Sequence, residues 1–150
     1  LKPQNIFLKK ENADMNILVI DCQGGGIGKQ VVEAVKRSFP KADVTAVGTN
    51  SIAASVMLKA GADRAATGEN AVKVCCRSAD VIIGPVGIVI ADAMLGEITP
   101  EIARAVGSSS AKRFLIPVNQ CDNVIMGVPD LSIGKLVQCV ITELKKLSGD

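Results

Sequence analysis

Residues 16–39 read NILVIDCQGGGIGKQVVEAVKRSF, and the change of pattern inside this stretch decides the fold. NILVI (16–20) is a short apolar run of the kind that forms a strand buried on both faces. From Ile27 onward the apolar residues Val31, Ala34, Val35 and Phe39 recur at helical spacing until Pro40 punctuates the end. Between the two patterns stand four glycines, Gly24, Gly25, Gly26 and Gly28. A strand, a glycine turn and a helix N-terminus bring unpaired amide N–H groups and the positive end of the helix dipole to one point, which suits a phosphate. A tight turn alone needs fewer glycines.

The same alternation continues outward. DVTAVG (43–48) predicts a second strand, and the following helix starts from Asn50 or Ser51 as N-cap and stops at Gly61. DRAAT (63–67) predicts a short third strand and residues 70–77 a small helix. DVIIG (80–84) predicts a strong buried strand, after which GPVG repeats the opening device and a helix is expected from about Val86 to Leu95. Thr99, Pro100 and Glu101 stand in the order of cap, N1 proline and first-turn acid, and that helix is expected to end at Gly107. KRFLIPVN (112–119) predicts a fifth strand and NVIMGV (123–128) a further one. Ile133, Leu136, Val137, Val140, Ile141 and Leu144 then mark the clearest helix of the chain. Apolar strands separated by helices imply a mainly parallel sheet covered on both sides, a single doubly wound, Rossmann-like three-layer α/β domain.

At 150 residues the chain fits one domain with a sizeable core. The first 14 residues, LKPQNIFLKKENAD, are polar and without period, so we expect them to be a leader outside the core, with the domain running from Met15 to Asp150. Lys and Arg number 17 against 15 Asp and Glu, and the chain has three Phe, no Tyr and no Trp, so a nucleic-acid surface is not expected. Five cysteines without paired spacing, and no His, give no zinc pattern and suggest reduced thiols in a cytoplasmic protein. The longest apolar run, 81–91, contains Gly84, Pro85 and Gly87 and falls short of the roughly 18 apolar residues of a membrane span.

Three phosphate-loop patterns can be tested on the glycines. A Walker A loop would align its G-K with Gly28 and Lys29, but Gln23 stands at its first glycine and Gln30 at its magnesium-binding hydroxyl. The fingerprint G-x-G-x-x-G, started at Gly24, ends on Lys29. The variant G-x-x-x-G-x-G of short-chain dehydrogenases fits best, with Gly26-Ile27-Gly28 as its ending and Cys22 at its first glycine.

MNILVIDCQGGGIGKQ, AVGTNSIAASVMLKAGADRAATGENAV, ADVIIGPVGIVIADAMLGEITP and LIPVN, taken in order, resemble an uncharacterised bacterial family known as domain of unknown function 3842. The resemblance spans Met15 to Leu147. It implies a small bacterial protein without an assigned activity, and a family glycine at the place of Cys22.

Other polar and glycine residues fall just after predicted strands, where parallel sheets bind ligands. They are Asp21 with Gly24, Gly25, Gly26, Ile27, Gly28 and Lys29; then Thr49, Asn50 and Ser51; then Gly84, Pro85 and Gly87; and finally Asn119. With GPVG following the fourth strand, the two glycine loops are expected side by side if the strand order reverses between the first and fourth strands. Capping and turn formation account individually for Thr49, Ser51 and Asn119.

Catalytic equipment is thin: without His or Tyr no Ser-His or Cys-His dyad and no Tyr-Lys pair can be built. Asp92 and Glu97 are expected in capping or ion-pair roles, and Cys75 and Cys76 in the core. Cys22 near a helix start is a candidate for a reactive thiol, without a partner motif beside it. We therefore expect a protein that binds NAD(P) or another nucleotide, with no metal and no assigned catalytic residue. The alternatives are a scaffold or regulatory homo-oligomer associating through Ile88 to Ile98, and a small phosphoryl- or sugar-handling enzyme using Asp21 and Lys29. NAD sites carry an acid about 20 residues past the glycine loop. Here that place reads Gly48-Thr49-Asn50-Ser51, which predicts a preference between NAD and NADP within roughly tenfold, about 1.4 kcal/mol.

Overall fold

The computed structural model describes residues 15–118 and 122–149. Five strands, β1 (Asn16–Asp21), β2 (Asp43–Gly48), β3 (Arg64–Thr67), β4 (Val81–Pro85) and β5 (Lys112–Ile116), form one sheet in the order β3-β2-β1-β4-β5. Every neighbouring pair is parallel, with β1 paired to β2 from Asn16↔Asp43 to Asp21↔Gly48 and to β4 from Ile17↔Val81 to Val19↔Ile83. The helices are α1 (Gly26–Ser38), α2 (Ser51–Lys59), α3 (Glu69–Cys75), α4 (Pro100–Ser108) and α5 (Ile133–Ser148). The expected doubly wound α/β architecture is therefore what the chain adopts.

Alternation along β1 builds two cores. Ile17 and Val19 join Val31, Val35, Met57, Val140 and Leu144 beneath α1, α2 and α5. Leu18 and Ile20 join Val47, Val72, Ile82, Ile88 and Ile102 beneath α3 and α4. Side chains on successive strand residues point to opposite faces, so an apolar run such as ILVI is stable only when both faces are covered. Each fully buried aliphatic side chain contributes roughly 1.5–3 kcal/mol.

The chain leaves β1 for α1 on one face, and leaves β4 for α4 on the other. Because β1 and β4 are neighbours, their C-terminal ends diverge to opposite faces and leave a crevice between them, the topological switch point of an open parallel sheet. The two glycine loops lie side by side there, as expected.

Three elements differ from the sequence reading. No α-helix runs from Val86 to Leu95. A single 3-10 turn spans Val86–Val89, and residues 90–98 fold into successive turns. Val86, Ile88, Val89 and Ile90 are β-branched and disfavour helix, and Asp92, Met94, Leu95 and Gly96 all take positive φ, between 56° and 87°. Burial of Ile88, Ala93, Met94 and Ile98 in the α3–α4 core compensates for this strain. NVIMGV (123–128) forms no strand: Asp122 (φ 62°) and Gly127 (φ 77°) bend the chain on either side, and Val124 and Met126 face solvent. The fifth strand ends at Ile116, before the expected 119.

The other boundaries hold closely. Asn50 caps α2, accepting the Ala53 N–H on its side chain, and Gly61 follows the helix with φ 118°. Thr99 caps α4 through the Ile102 N–H, with Pro100 at N1. Among the described residues, no helix is long and apolar enough to cross a membrane. Residues 1–14, on which the expectation of a leader falls, lie outside the described residues, as do Asn119, Gln120, Cys121 and Asp150.

Candidate functional site

The site is built on the turn that leaves β1. Asp21, the last residue of that strand, is 3% exposed, and its carboxylate accepts two backbone donors: Cys22 N–H on Oδ1 at 2.8 Å and Gly28 N–H on Oδ2 at 2.7 Å. The carboxylate thus satisfies an N–H in the first turn of α1 that has no partner within the helix. Burial pushes the Asp21 carboxyl above the usual 3.8. The Gly28 and Cys22 amides work against that shift, and the nearby charge of Glu97 adds to it.

The four glycines separate by role. Gly25 has φ 74°, its N–H bonds to the Cys22 carbonyl at 3.1 Å, and a Cβ there would lie 2.8 Å from Ala53 Cα. Gly28 packs α1 against the sheet, since a Cβ would overlap Met57 Sδ and come within 2.9 Å of Asp21 Cβ. Turn and packing account for these two. Gly24 and Gly26 are different. Both are exposed, neither has positive φ, and nothing lies within 4 Å of where a Cβ would stand. Their N–H groups make no hydrogen bond to the described residues, and Lys29 is exposed in the first turn of α1. Neither packing nor backbone conformation requires glycine at 24 or 26. The approach of an external group to the backbone would.

Cys22 is buried in the α3–α4 core and lacks positive φ; the left-handed residue of the turn is Gln23, at φ 51°. A glycine at 22 is therefore not needed for conformation, and the Cys22 thiol is shielded from solvent. Cys76 is also in the core, with burial pushing its thiol up to about 11, and Cys75 is half-buried and likewise raised by burial.

The expected capping or ion-pair role of Glu97 is corrected: Thr99 caps α4, no ion pair among the described residues includes Glu97, and its place at the rim was missed. Its carboxylate accepts the Asn50 side-chain amide at 2.7 Å and the Thr49 hydroxyl at 3.0 Å, both on Oε1. It also accepts the Gln23 N–H, at 3.1 Å on Oε2 and 3.3 Å on Oε1. An acid from the segment after β4 therefore occupies the end of β2, where the local sequence offers none. The premise that no carboxylate stands there is corrected by this geometry. The signal was not local: Glu97 reaches this place only because β1 lies between β2 and β4.

Asn50 ties the rim together, capping α2 with its Oδ1 while its Nδ2 donates to the Gln23 carbonyl at 2.9 Å and to Glu97. The Thr49 N–H bonds to the Asp21 carbonyl at 3.1 Å. Thus Asp21, Gly24 to Lys29, Thr49 and Asn50 are brought together, with Ser51 exposed at the start of α2. Gly84, Pro85 and Gly87 sit beside them but are buried; a Cβ on Gly84 would lie 2.5 Å from the Ile20 carbonyl oxygen, so close strand packing accounts for that glycine. Asn119 lies outside the described residues.

Asp92 is exposed, and its N–H bonds to the Ile98 carbonyl at 2.7 Å, closing the loop that carries Glu97. Ile88 and Ile98 are fully buried, and among the large apolar side chains of the 88–98 segment Leu95 is the exposed one, beside exposed Ala91, Asp92 and Gly96. Gln23 and residues 90–95 line a cavity of about 550 Å³ beside the glycine loop, completed by Asp122. Its walls combine apolar Ile90, Ala93 and Met94 with the polar edge of the loop. Among the described residues, no three His, Cys, Asp or Glu side chains converge to hold a metal.

The chain has no match among curated proteins. Among solved structures, a nucleoside-diphosphate-sugar epimerase from Pseudomonas aeruginosa is similar at 13% identity and a TM-score of 0.46, over 90% of this chain and 48% of that one. The chain thus spans about half the length of that protein. The family model described as Domain of unknown function (DUF3842) matches residues 16–149, which carry the sheet, the glycine turn and Glu97, and the chain belongs to that family.

Proposed function

We propose that the protein binds a nucleotide or dinucleotide at the C-terminal rim of its sheet, with a phosphate on the Gly24 and Gly26 amides and the base in the cavity walled by residues 90–95. The observation that carries this reading is the pair of open glycines. They expose N–H groups that no described residue accepts, at the start of a 13-residue helix and at the switch point of a parallel sheet, where neither packing nor backbone conformation asks for glycine. Lys29 adds a positive charge in the first turn. Asp21 takes the Gly28 amide, so the anion is held by the outer part of the turn and not by the deeper helix end.

The reading is one of binding without assigned turnover. The chain has no His and no Tyr, and the acid nearest the loop, Asp21, is buried and engaged by backbone amides. Mass spectrometry of small molecules released on gentle unfolding of the purified protein tests it. A nucleotide among them, and a rise in melting temperature on adding back that nucleotide, are expected. No released nucleotide, and no shift with ADP, NAD or inorganic pyrophosphate at millimolar concentration, would overturn it.

A further inference from the structure

We infer that Glu97 selects the nucleotide: its carboxylate receives the hydroxyls of a ribose that is free at its 2′ position and rejects a ribose bearing a 2′-phosphate. This rests on the nucleotide reading above and concerns which member of the class the rim accepts.

Glu97 is held from both sides. Its loop is closed by the bond from Asp92 N–H to the Ile98 carbonyl and by that from Ile98 N–H to the Ala93 carbonyl at 3.2 Å, with Met94 and Ile98 buried beneath it. The carboxylate itself is gripped by Thr49, Asn50 and the Gln23 amide. Among the described residues, Oε1 receives two side-chain donors and a share of the Gln23 N–H, whereas Oε2 receives only that amide. A carboxylate oxygen accepts from two directions, so Oε2 keeps room for a hydroxyl donor.

The place is that of ribose recognition, because Thr49 and Asn50 directly follow the last residue of β2 and Gln23 opens the glycine turn. Among the described residues, the ion pairs join Lys36 to Asp63, Arg64 to Asp43 and Lys146 to Glu143, and none neutralises Glu97. A ribose diol donates to such a group. A 2′-phosphate is mostly dianionic at neutral pH, so it rarely has a proton to donate and brings like charge against a fixed carboxylate. This inference departs from the expectation of a preference within tenfold, whose premise of a missing carboxylate the position of Glu97 removes.

A rival account of the same hydrogen bonds makes Glu97 the chain's own occupant of an anion site, and the two accounts move affinities differently. Calorimetric titration of the full chain and of Glu97→Gln with NAD and with NADP separates them. The parent should prefer NAD by on the order of 100-fold. In Glu97→Gln the affinity for NAD should fall and that for NADP should hold or rise, leaving the two within about tenfold of each other. A rise in both affinities in the variant would show a self-capped anion site and overturn the inference. So would a parent that binds both cofactors within tenfold, a ratio that decides the matter even where the variant fails to fold. A parent that binds neither NAD nor NADP overturns the inference, whereas the nucleotide reading falls only if ADP also fails to bind.

Discussion

The Oδ2 of Asp21 accepts the Gly28 N–H at 2.7 Å, so the acid that ends β1 also pins the first turn of α1. Replacing it with Asn presents an N–H₂ to one of the two amides now facing an acceptor, and a buried unsatisfied donor costs about 1–3 kcal/mol. Asp21→Asn should lower stability by that amount in urea unfolding near pH 7.

The pH dependence of that difference has a definite sign. Burial raises the folded-state pKa of Asp21 above 3.8, so the folded state binds its proton more tightly than the unfolded state. The associated stability is complete below 3.8 and is lost as pH rises through the folded-state value. The advantage of the parent over Asp21→Asn should therefore shrink as pH rises from about 4 toward neutrality, a trend that unfolding curves at several pH values would read.

Asp63 behaves in the opposite sense. Burial alone would raise its carboxyl, but the Val44 N–H at 2.8 Å and the Lys36 ammonium at 3.0 Å outweigh that and hold it below 3.8. Its contribution is present above 3.8 and lost as pH falls through the lowered value. Asp63→Asn should flatten the acid limb of the stability profile; an unchanged limb would mean that the Lys36–Asp63 contact does not persist in solution.

The glycines should divide by role. Gly28→Ala places a Cβ against Met57 and Asp21 and should cost about 1–3 kcal/mol, while Gly24→Ala meets nothing and should change stability by less than about 0.5 kcal/mol. Thermal melts of the two variants would check this. Equal destabilisation would mean that the turn is packed more tightly than its geometry shows.

What the sequence disclosed follows from the range of each interaction. The β1–turn–α1 unit was legible because its signals are local: the NILVI run, the glycines and the spacing of Val31 and Val35 all lie within 16–39. The turns at 90–98 were not, because positive φ at Asp92, Met94 and Leu95 is stabilised by burial of Ile98 and Met94 and leaves no local mark. Val124 and Ile125 carry strand propensity, but the residues bending at 122 and 127 keep them out of the sheet. Glu97 looked like a residue before the Thr99 cap, and its bond to Gln23 spans 74 positions. Strand order, which single-chain periodicity does not encode, brings those two together.

The central claim is that the open amides at Gly24 and Gly26 receive a phosphate. Calorimetric titration of the parent and of Gly26→Val with ADP tests it most directly, because residue 26 lacks positive φ and a Cβ there meets nothing within 4 Å. The account predicts a melting temperature within about 2 °C of the parent and a loss of affinity of at least about 30-fold, as the isopropyl group blocks approach to the backbone. Equal affinity for ADP in a stably folded Gly26→Val would contradict it.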